Sequence, residues 1–323
     1  MAEDQAHSPL EFEIRRRIKL AGPMPVRQFM QLCLADPSHG YYMTRDPLGR
    51  SGDFVTSPEV SQVFGELMGL WAAAVWQLMG QPENVRLVEL GPGRGTMMLD
   101  AIRAAQVVPA FRAAIVIHMV EISPTLQQRQ QFALSGLNVP TNWHQSFDEV
   151  PDGPIIVLAN EFFDAMPVNQ AVKQFNGWYE RVIEIDDNGN LVFGIANEVI
   201  PLFEQLVPAI VRDAPIGAIY EWRTDSLPLA LGQRVVRQGG AALIVDYGHV
   251  ASAVGETLQA VGGHAFAHQI VQAGLVDRND ALAQSFHLAR IDVDAGHAIA
   301  AAGKAGASHQ AHVPGSNDCH VHA

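Results

Sequence analysis

Four apolar runs, separated by segments of other character, constrain the fold of this chain most strongly. They occupy residues 85–90, 114–121, 154–160 and 239–248, and the last two have near-continuous hydrophobicity. Strands buried on both faces of a parallel sheet have this composition, and helical patterns follow the first two runs. The sequence therefore predicts an α/β fold with a mostly parallel, Rossmann-like sheet.

The segments outside these runs predict further elements. Apolar residues at helical spacing indicate helices over 8–21 and 24–35 and a long helix that ends near Gly80. Two Asn-Gly pairs within 168–195 favour tight turns, so an inserted antiparallel meander is expected there. We therefore divide the chain into an N-terminal helical region with a lid loop, a core and an atypical C-terminal tail, over 1–80, 81–262 and 263–323.

The C-terminal tail has a composition of its own. Residues 264–323 hold 8 of the 13 histidines and 15 alanines, with too little bulky apolar material for much independent core. Scattered histidines in such a segment are usually solvated, and a metal site is the less favoured alternative. The ligands of that site would be His309, His312, Cys319, His320 and His322.

Composition excludes several classes of protein. The net charge of −13 argues against a nucleic-acid partner, and no apolar run is long enough for insertion into a membrane. Two cysteines, Cys33 and Cys319, exclude a disulfide scaffold. The N-terminal residues resemble neither a secretory signal nor an Arg-rich presequence, so a cytoplasmic location is expected. Composition leaves the oligomeric state open.

A glycine-rich turn follows the first apolar run. Gly91, Gly93 and Gly95 alternate with other residues, Glu89 precedes them, and Glu121 closes the next strand. Glycines let a ligand approach the backbone, and an acid at the tip of the second strand can accept hydrogen bonds from both ribose hydroxyls. A nicotinamide cofactor is less favoured because its G-x-G-x-x-G pattern needs glycine at position 96, and this chain has Thr96 there. A turn that binds nothing is the other alternative.

Polar residues also follow the run at 154–160. Ligands of open α/β sheets bind beyond the carboxyl ends of the strands, where Asn160, Glu161 and Asp164 stand. A carboxylate there can orient a planar, cationic guanidinium by paired hydrogen bonds, with Glu161 the first choice and Asp164 the second. Alternatively, one of these acids caps a following helix.

The loop over 39–59 has no apolar periodicity and is long enough to act as a lid. Asp53 lacks an obvious structural reason for its position. Thr56, Ser57 and Pro58 are candidates for the cofactor site, although a serine before proline also begins helices well.

Six motifs together resemble one family. HGYY, GDFVTSPEVSQVFGELMG, LVELGPGRGTMMLDAIR, VEISPTL, NEFFDAMPV and IVDYG occur in this order within about 8–262. They are similar to the S-adenosylmethionine (SAM) dependent methyltransferases that include MidA and the mitochondrial complex I assembly factor 7 proteins. The resemblance implies a class I methyltransferase core, SAM as cofactor, and methylation of a protein arginine on a respiratory complex I subunit.

The resemblance also assigns residues to the site. The cofactor motif is matched by Gly91, Gly93, Gly95 and Glu121, with Glu89 near the methionine portion of the cofactor. The acceptor side is matched by Asn160, Glu161 and Asp164. The N-terminal loop of the family is matched by Gly52, Asp53, Thr56, Ser57 and Pro58. Of these, Glu161, Asp164, Asn160 and Asp53 are our candidates for catalysis.

The similarity ends beyond residue 262. A class I sheet normally finishes with an antiparallel hairpin, so we expect that this chain lacks or has replaced its last two strands, through divergence or a shifted reading frame. Two functional alternatives stay open. One is a methyltransferase for a small molecule or a non-arginine target, and the other is a non-catalytic assembly or binding protein that retains the fold.

Overall fold

The computed structural model describes residues 7–44, 56–224, 226–248, 252–256, 285–294 and 297–304. The helices are α1 Pro9–Ala21, α2 Val26–Ala35, α3 Tyr41–Thr44, α4 Ser57–Val60, α5 Gln62–Leu78, α6 Thr96–Ala104, α7 Pro109–Ala114, α8 Pro124–Leu134, α9 Phe203–Leu206, α10 Ala209–Arg212 and α11 Ser226–Gln238. The strands are β1 Met24–Pro25, β2 Val85–Leu90, β3 Ile115–Val120, β4 Thr141–His144, β5 Ile155–Asn160, β6 Asn169–Gln174, β7 Gly177–Ile185, β8 Leu191–Val199, β9 Ile219–Trp222, β10 Gly240–Gly248, β11 Ser285–Asp294 and β12 His297–Lys304.

Seven of these strands form the main sheet, in the order β12-β11-β10-β5-β2-β3-β4. The five strands from β10 to β4 run parallel to one another. The chain leaves β2 toward β3 and β4 and then returns to β5 on the other side of β2. This reversal creates the switch point at which open α/β sheets bind ligands. The predicted mostly parallel α/β fold is confirmed.

Both faces of the parallel sheet are buried, as the continuous apolar runs predict. On one face, Leu87, Ile117 and Ile156 pack with residues of α5 and α6, including Trp76 and Met98. On the other face, Val88 and Val157 pack with Phe147 and with Leu231 and Val235 of α11. The apolar strands therefore form the central layer between helices.

The edge of the main sheet decides between the two parts of the expectation that the last two strands are lacking or replaced. The chain does not lack its last two strands, because β11 pairs antiparallel with β10 and β12 pairs antiparallel with β11. The expectation rested on the end of the family similarity after residue 262, and a divergent segment can still pair as a strand. A strand added to an existing sheet edge gains ladder hydrogen bonds and needs no core of its own. The rest of the predicted tail, including the histidines of the metal alternative, lies outside the described residues.

The predicted meander forms a second, five-stranded sheet. Strand β7 pairs antiparallel with β6, β8 and β1, and β9 pairs with β6. The Asn188-Gly189 pair lies in a loop where the Asp186 carboxylate accepts the backbone N–H groups of Asn188 and Asn190. The strands at β1 and β9 were not predicted from the sequence.

The N-terminal helices pack in two different places. Ile14 of α1 and Phe29 of α2 pack against Ile183 and Leu191 of the second sheet. Helix α5 instead packs against α6, which begins at the glycine-rich turn. The N-terminal region therefore contacts both sheets. None of the described helices is long and apolar enough to cross a membrane.

Candidate active site

A cavity of about 600 Å³ opens at the carboxyl ends of β2, β3 and β5. Its walls also include residues of α2, which packs on the second sheet, and of α11, which packs on the main sheet. The sequence-predicted residues that line it are Glu89, Gly91, Gly93, Glu121, Asn160, Glu161, Asp164, Thr56 and Pro58. Gly95 and Ser57 adjoin lining residues without lining the cavity themselves, and Asp53 lies outside the described residues.

The glycine-rich turn needs its glycines for two reasons. Gly91, Gly93 and Gly95 have φ values of 60°, 53° and 80°, a left-handed conformation that other residues rarely adopt. A Cβ atom on Gly91 would also lie 2.5 Å from Cδ2 of Phe162. Gly95 is the N-cap residue of α6, so the turn leads directly into that helix.

Glu89 lies under this turn with only 2% of its surface exposed. Burial, together with the negative charge of Glu121, raises the pKa of Glu89 to about 8. A hydrogen bond from the backbone of Met98 acts in the opposite direction and lowers this pKa. Its Oε2 atom is buried and has no hydrogen-bond partner among the described residues. A buried polar atom without a partner is costly, so this oxygen indicates a place for a ligand group that can donate.

Glu121 lies at the tip of β3 and is also buried. Its Oε1 accepts the Ser123 backbone N–H at 2.8 Å, and its Oε2 accepts from Nε2 of Gln130 at 3.2 Å. Burial raises the pKa of Glu121, and these two hydrogen bonds oppose that shift. Gln130, which the sequence did not single out, therefore belongs to the structure of the site.

The acceptor side is built at the end of β5. The Oδ1 atom of Asn160 is buried and lacks a partner among the described residues. Glu161 has a φ of 48°, unusual for a residue with a side chain, and its backbone N–H donates to the carbonyl of Val245 at 2.8 Å. Residues 161–168 form turns and no helix, so the alternative that Glu161 or Asp164 caps a following helix is wrong.

Asp246 at the end of β10 holds this turn and was also missed from the sequence. Its Oδ2 accepts the backbone N–H groups of Phe163 at 2.7 Å and Asp164 at 3.3 Å. Burial, and then the negative charge of Asp164, raise the pKa of Asp246 to about 6. Only its place in the IVDYG motif could have drawn attention to it.

The N-terminal segment reaches the glycine-rich turn through Glu59. The Glu59 carboxylate accepts the Thr96 hydroxyl at 2.7 Å and lies 3.5 Å from Nη1 of Arg94. Thr56 is the N-cap residue of α4 and Ser57 its first residue, so Ser57 does not cap this helix. These contacts bring Thr56 and Pro58 to the cavity wall.

The residues present fit a nucleoside cofactor with a cationic amino-acid portion. The turn gives close access to the backbone, Glu121 offers carboxylate oxygens, and Glu89 offers an oxygen that no described residue contacts by a hydrogen bond. Among the residues that the structure describes, no group of His, Cys, Asp and Glu side chains could hold a metal ion. Fold and site together define a class I SAM-dependent methyltransferase.

Comparison with known proteins agrees with that class. A family model described as S-adenosyl-L-methionine-dependent methyltransferase matches residues 67–277. The chain belongs to this family. The family resemblance that the motifs indicate is therefore confirmed.

Two curated relatives carry arginine methyltransferase names. The mitochondrial protein arginine methyltransferase NDUFAF7 homolog of Drosophila melanogaster is 36% identical over 85% of this chain and 68% of its own length. The human mitochondrial protein arginine methyltransferase NDUFAF7 is 35% identical over 75% of this chain and 60% of its own length. These names place the relatives in mitochondria and contradict the predicted cytoplasmic location, which rested on the N-terminal residues alone.

One solved structure shares the fold over most of the chain. A protein from Burkholderia thailandensis with bound S-adenosyl-homocysteine has a TM-score of 0.63 and 29% identity. The match covers 74% of this chain and 62% of that chain. This chain thus spans about two thirds of the length of the relatives and the solved structure that it matches.

Proposed function

We propose that this protein transfers the methyl group of SAM to a guanidinium nitrogen of a protein arginine. The observation that carries the proposal is that two acidic residues, Glu161 and Asp164, line the cavity at the end of β5, on the acceptor side. A guanidinium is planar, cationic and rich in donors, and carboxylates bind it by paired hydrogen bonds. The relatives named as arginine methyltransferases support the same target class.

The residues of this chain have separate tasks in this reaction. When bound, SAM would supply a methyl group and leave as S-adenosyl-homocysteine, and the guanidinium nitrogen that accepts the methyl group would lose one proton. Glu161 accepts hydrogen bonds from the guanidinium and orients one nitrogen toward the cofactor side of the cavity. Glu161 and Asp164 also stabilise the positive charge that grows on the acceptor, since both carboxylates lie in a partly buried wall. Most of the rate gain comes from this positioning.

The site for the cofactor lies on the glycine side of the cavity. Gly91 and Gly93 let the ligand approach the backbone, Glu121 accepts from the ribose, and Glu89 offers a buried oxygen that lacks a partner among the described residues. Thr56 and Pro58 cover the site from the N-terminal segment. Asn160 and Asp53 remain predicted candidates for catalysis, and Asp53 lies outside the described residues.

We further infer that the target belongs to a protein subunit of respiratory complex I, as the family resemblance implies. The assay for this compares transfer of tritiated methyl from SAM to arginine peptides from complex I subunits and from unrelated proteins. Each peptide has a counterpart with lysine at the target position. Equal labelling of the lysine counterparts would contradict an arginine target.

The substitution Glu161→Gln tests the role of the acceptor carboxylate. The amide keeps the shape and loses the charge, so turnover should fall by about 100-fold. Affinity for S-adenosyl-homocysteine, measured by calorimetry, should change by less than about twofold because the cofactor contacts remain.

The matched control is Glu198→Gln, the same change on an exposed residue of β8. Turnover of the control should equal that of the unaltered protein. If Glu161→Gln lowers cofactor affinity as much as turnover, Glu161 belongs to the cofactor site and the proposed acceptor site is wrong.

A further inference from the structure

Gln130 is a buried amide on α8 with no exposed surface. Its Nε2 donates to the Gly93 carbonyl at 2.7 Å and to Oε2 of Glu121 at 3.2 Å. Its Oε1 accepts the indole N–H of Trp143 at 2.9 Å. The two hydrogens of the amide nitrogen and its oxygen are therefore all engaged, which is what burial of such a group requires.

Trp143 determines which way this amide points. An indole N–H can only donate, so the amide oxygen must face Trp143 and the amide nitrogen must face the cofactor site. The reverse orientation would place the amide oxygen against the Gly93 carbonyl and the Glu121 carboxylate, where all groups are acceptors. The orientation of Gln130 is thus fixed by its partners.

The two groups that Gln130 holds come from different parts of the site. Gly93 belongs to the turn after β2, and Glu121 to the tip of β3. Helix α8 also approaches the turn closely, since a Cβ atom on Gly95 would lie 3.4 Å from Cα of Gln130. The amide nitrogen of Gln130 therefore sets the distance between the glycine-rich turn and the Glu121 carboxylate.

We propose that Gln130 is a positioning residue for the cofactor, which holds the Glu121 carboxylate and the Gly93 carbonyl at the spacing that the nucleoside requires. It acts through these two groups and does not line the cavity itself. This inference rests on the SAM site alone and is independent of the proposed arginine target. Its tests therefore use S-adenosyl-homocysteine as the probe and need no methyl acceptor.

Two substitutions separate positioning from packing. Gln130→Leu removes all three hydrogen bonds at similar volume, and Gln130→Glu keeps the acceptor for Trp143 but places an oxygen against Glu121 and Gly93. Each should weaken binding of S-adenosyl-homocysteine by at least about tenfold. Gln128→Glu, the same change on an exposed residue of α8, is the matched control and should bind as the unaltered protein does.

A double-mutant cycle tests whether Gln130 acts through Glu121. If it does, Gln130→Glu should cost much less affinity in a Glu121→Gln background, because the new amide can donate to the new carboxylate. An equal loss in both backgrounds would overturn the proposal, as would binding by folded Gln130→Glu within about twofold of the unaltered protein.

The pH profile of binding gives a second readout that packing alone would not move. The hydrogen bond from Gln130 lowers the pKa of Glu121, so its loss in Gln130→Leu raises that pKa. When the pH is lowered, the affinity of Gln130→Leu for S-adenosyl-homocysteine should therefore begin to fall at a higher pH than that of the unaltered protein. An unchanged acid limb in a variant that folds, as judged by circular dichroism, would contradict the proposal. If Gln130→Leu does not fold, the cycle with Gln130→Glu decides.

Discussion

At the scale of single residues, the most unusual group in the site is the buried Glu89 carboxyl. Its pKa is raised to about 8, first by burial and then by the charge of Glu121. The ligand-free protein therefore holds a proton on Glu89 at neutral pH. A cationic ligand nearby would favour the charged carboxylate and lower this pKa again.

Binding of SAM should consequently release a proton from Glu89 near neutral pH. Because the carboxylate form binds the cation better, affinity for SAM should increase as the pH rises toward about 8. Calorimetry in two buffers of different ionisation enthalpy measures the released proton. Glu89→Gln should abolish both the release and this part of the pH dependence, and proton release that persists in the variant would refute the assignment.

The site residues that were predicted and those that were missed differ in their positions along the chain. Glu89, Glu121 and Asn160 stand at strand ends beside motifs, so position along the chain predicts them. Gln130 is one glutamine among several on α8. Its role depends on how α8 packs beside the turn, which no local pattern records.

Among the elements, helices α5 and α6 lie so close together that two positions of α5 have no room for a residue larger than glycine. A Cβ atom on Gly65 would lie 2.7 Å from Cβ of Asp100, and one on Gly69 would meet the Ala101 carbonyl. Helix α6 starts at the glycine-rich turn, so α5 fixes the position of the turn from behind. The close contact therefore supports the cofactor site although neither glycine lines the cavity.

Gly69→Ala should lower the free energy of unfolding by about 1–3 kcal/mol through this overlap, despite the better helix propensity of alanine. Gly232→Ala is the matched control in α11, where nothing lies within 4 Å of the added Cβ atom. It should stabilise the protein by about 0.5–1 kcal/mol. Urea unfolding measures both changes, and two changes of the same sign would contradict the packing argument.

The strands of the main sheet that have a long apolar pattern could be predicted from the sequence. The four apolar runs match β2, β3, β5 and β10 to within one residue at either end. Strand β4 was missed because it has only four residues, three of them polar or weakly apolar. It is held by pairing with β3 and by a 2.8 Å hydrogen bond between the rings of His118 and His144. Burial lowers the pKa of His118 to about 4, so His118 is neutral at pH 7, and burial also lowers the pKa of His144.

In the molecule as a whole, the cavity is lined by elements that pack on two different sheets and belong to separate cores. Arg27, Gln31 and Tyr42 line it from the N-terminal helices, which pack on the second sheet. The glycine-rich turn lines it from the main sheet. A ligand in the cavity therefore contacts parts of the molecule that belong to separate hydrophobic cores.

Binding of S-adenosyl-homocysteine should accordingly slow amide hydrogen exchange in both parts. Protection is expected over residues 91–97 and also over 27–42, because a ligand that binds the closed cavity opposes opening of either wall. Helices α9 and α10, which pack in a separate core and do not line the cavity, serve as the internal control and should exchange at the same rate. Protection confined to 91–97 would show that the N-terminal helices do not cover the cofactor.

This shared cavity bears on how such enzymes can diversify. The turn, Glu89 and Glu121 depend on the core of the main sheet, whereas Arg27 and Gln31 depend on the core beneath the N-terminal helices. Substitutions in the second core can therefore reshape the rim that meets a target protein while leaving the cofactor side unchanged. A lineage of this fold could exchange one target for another without rebuilding its chemistry.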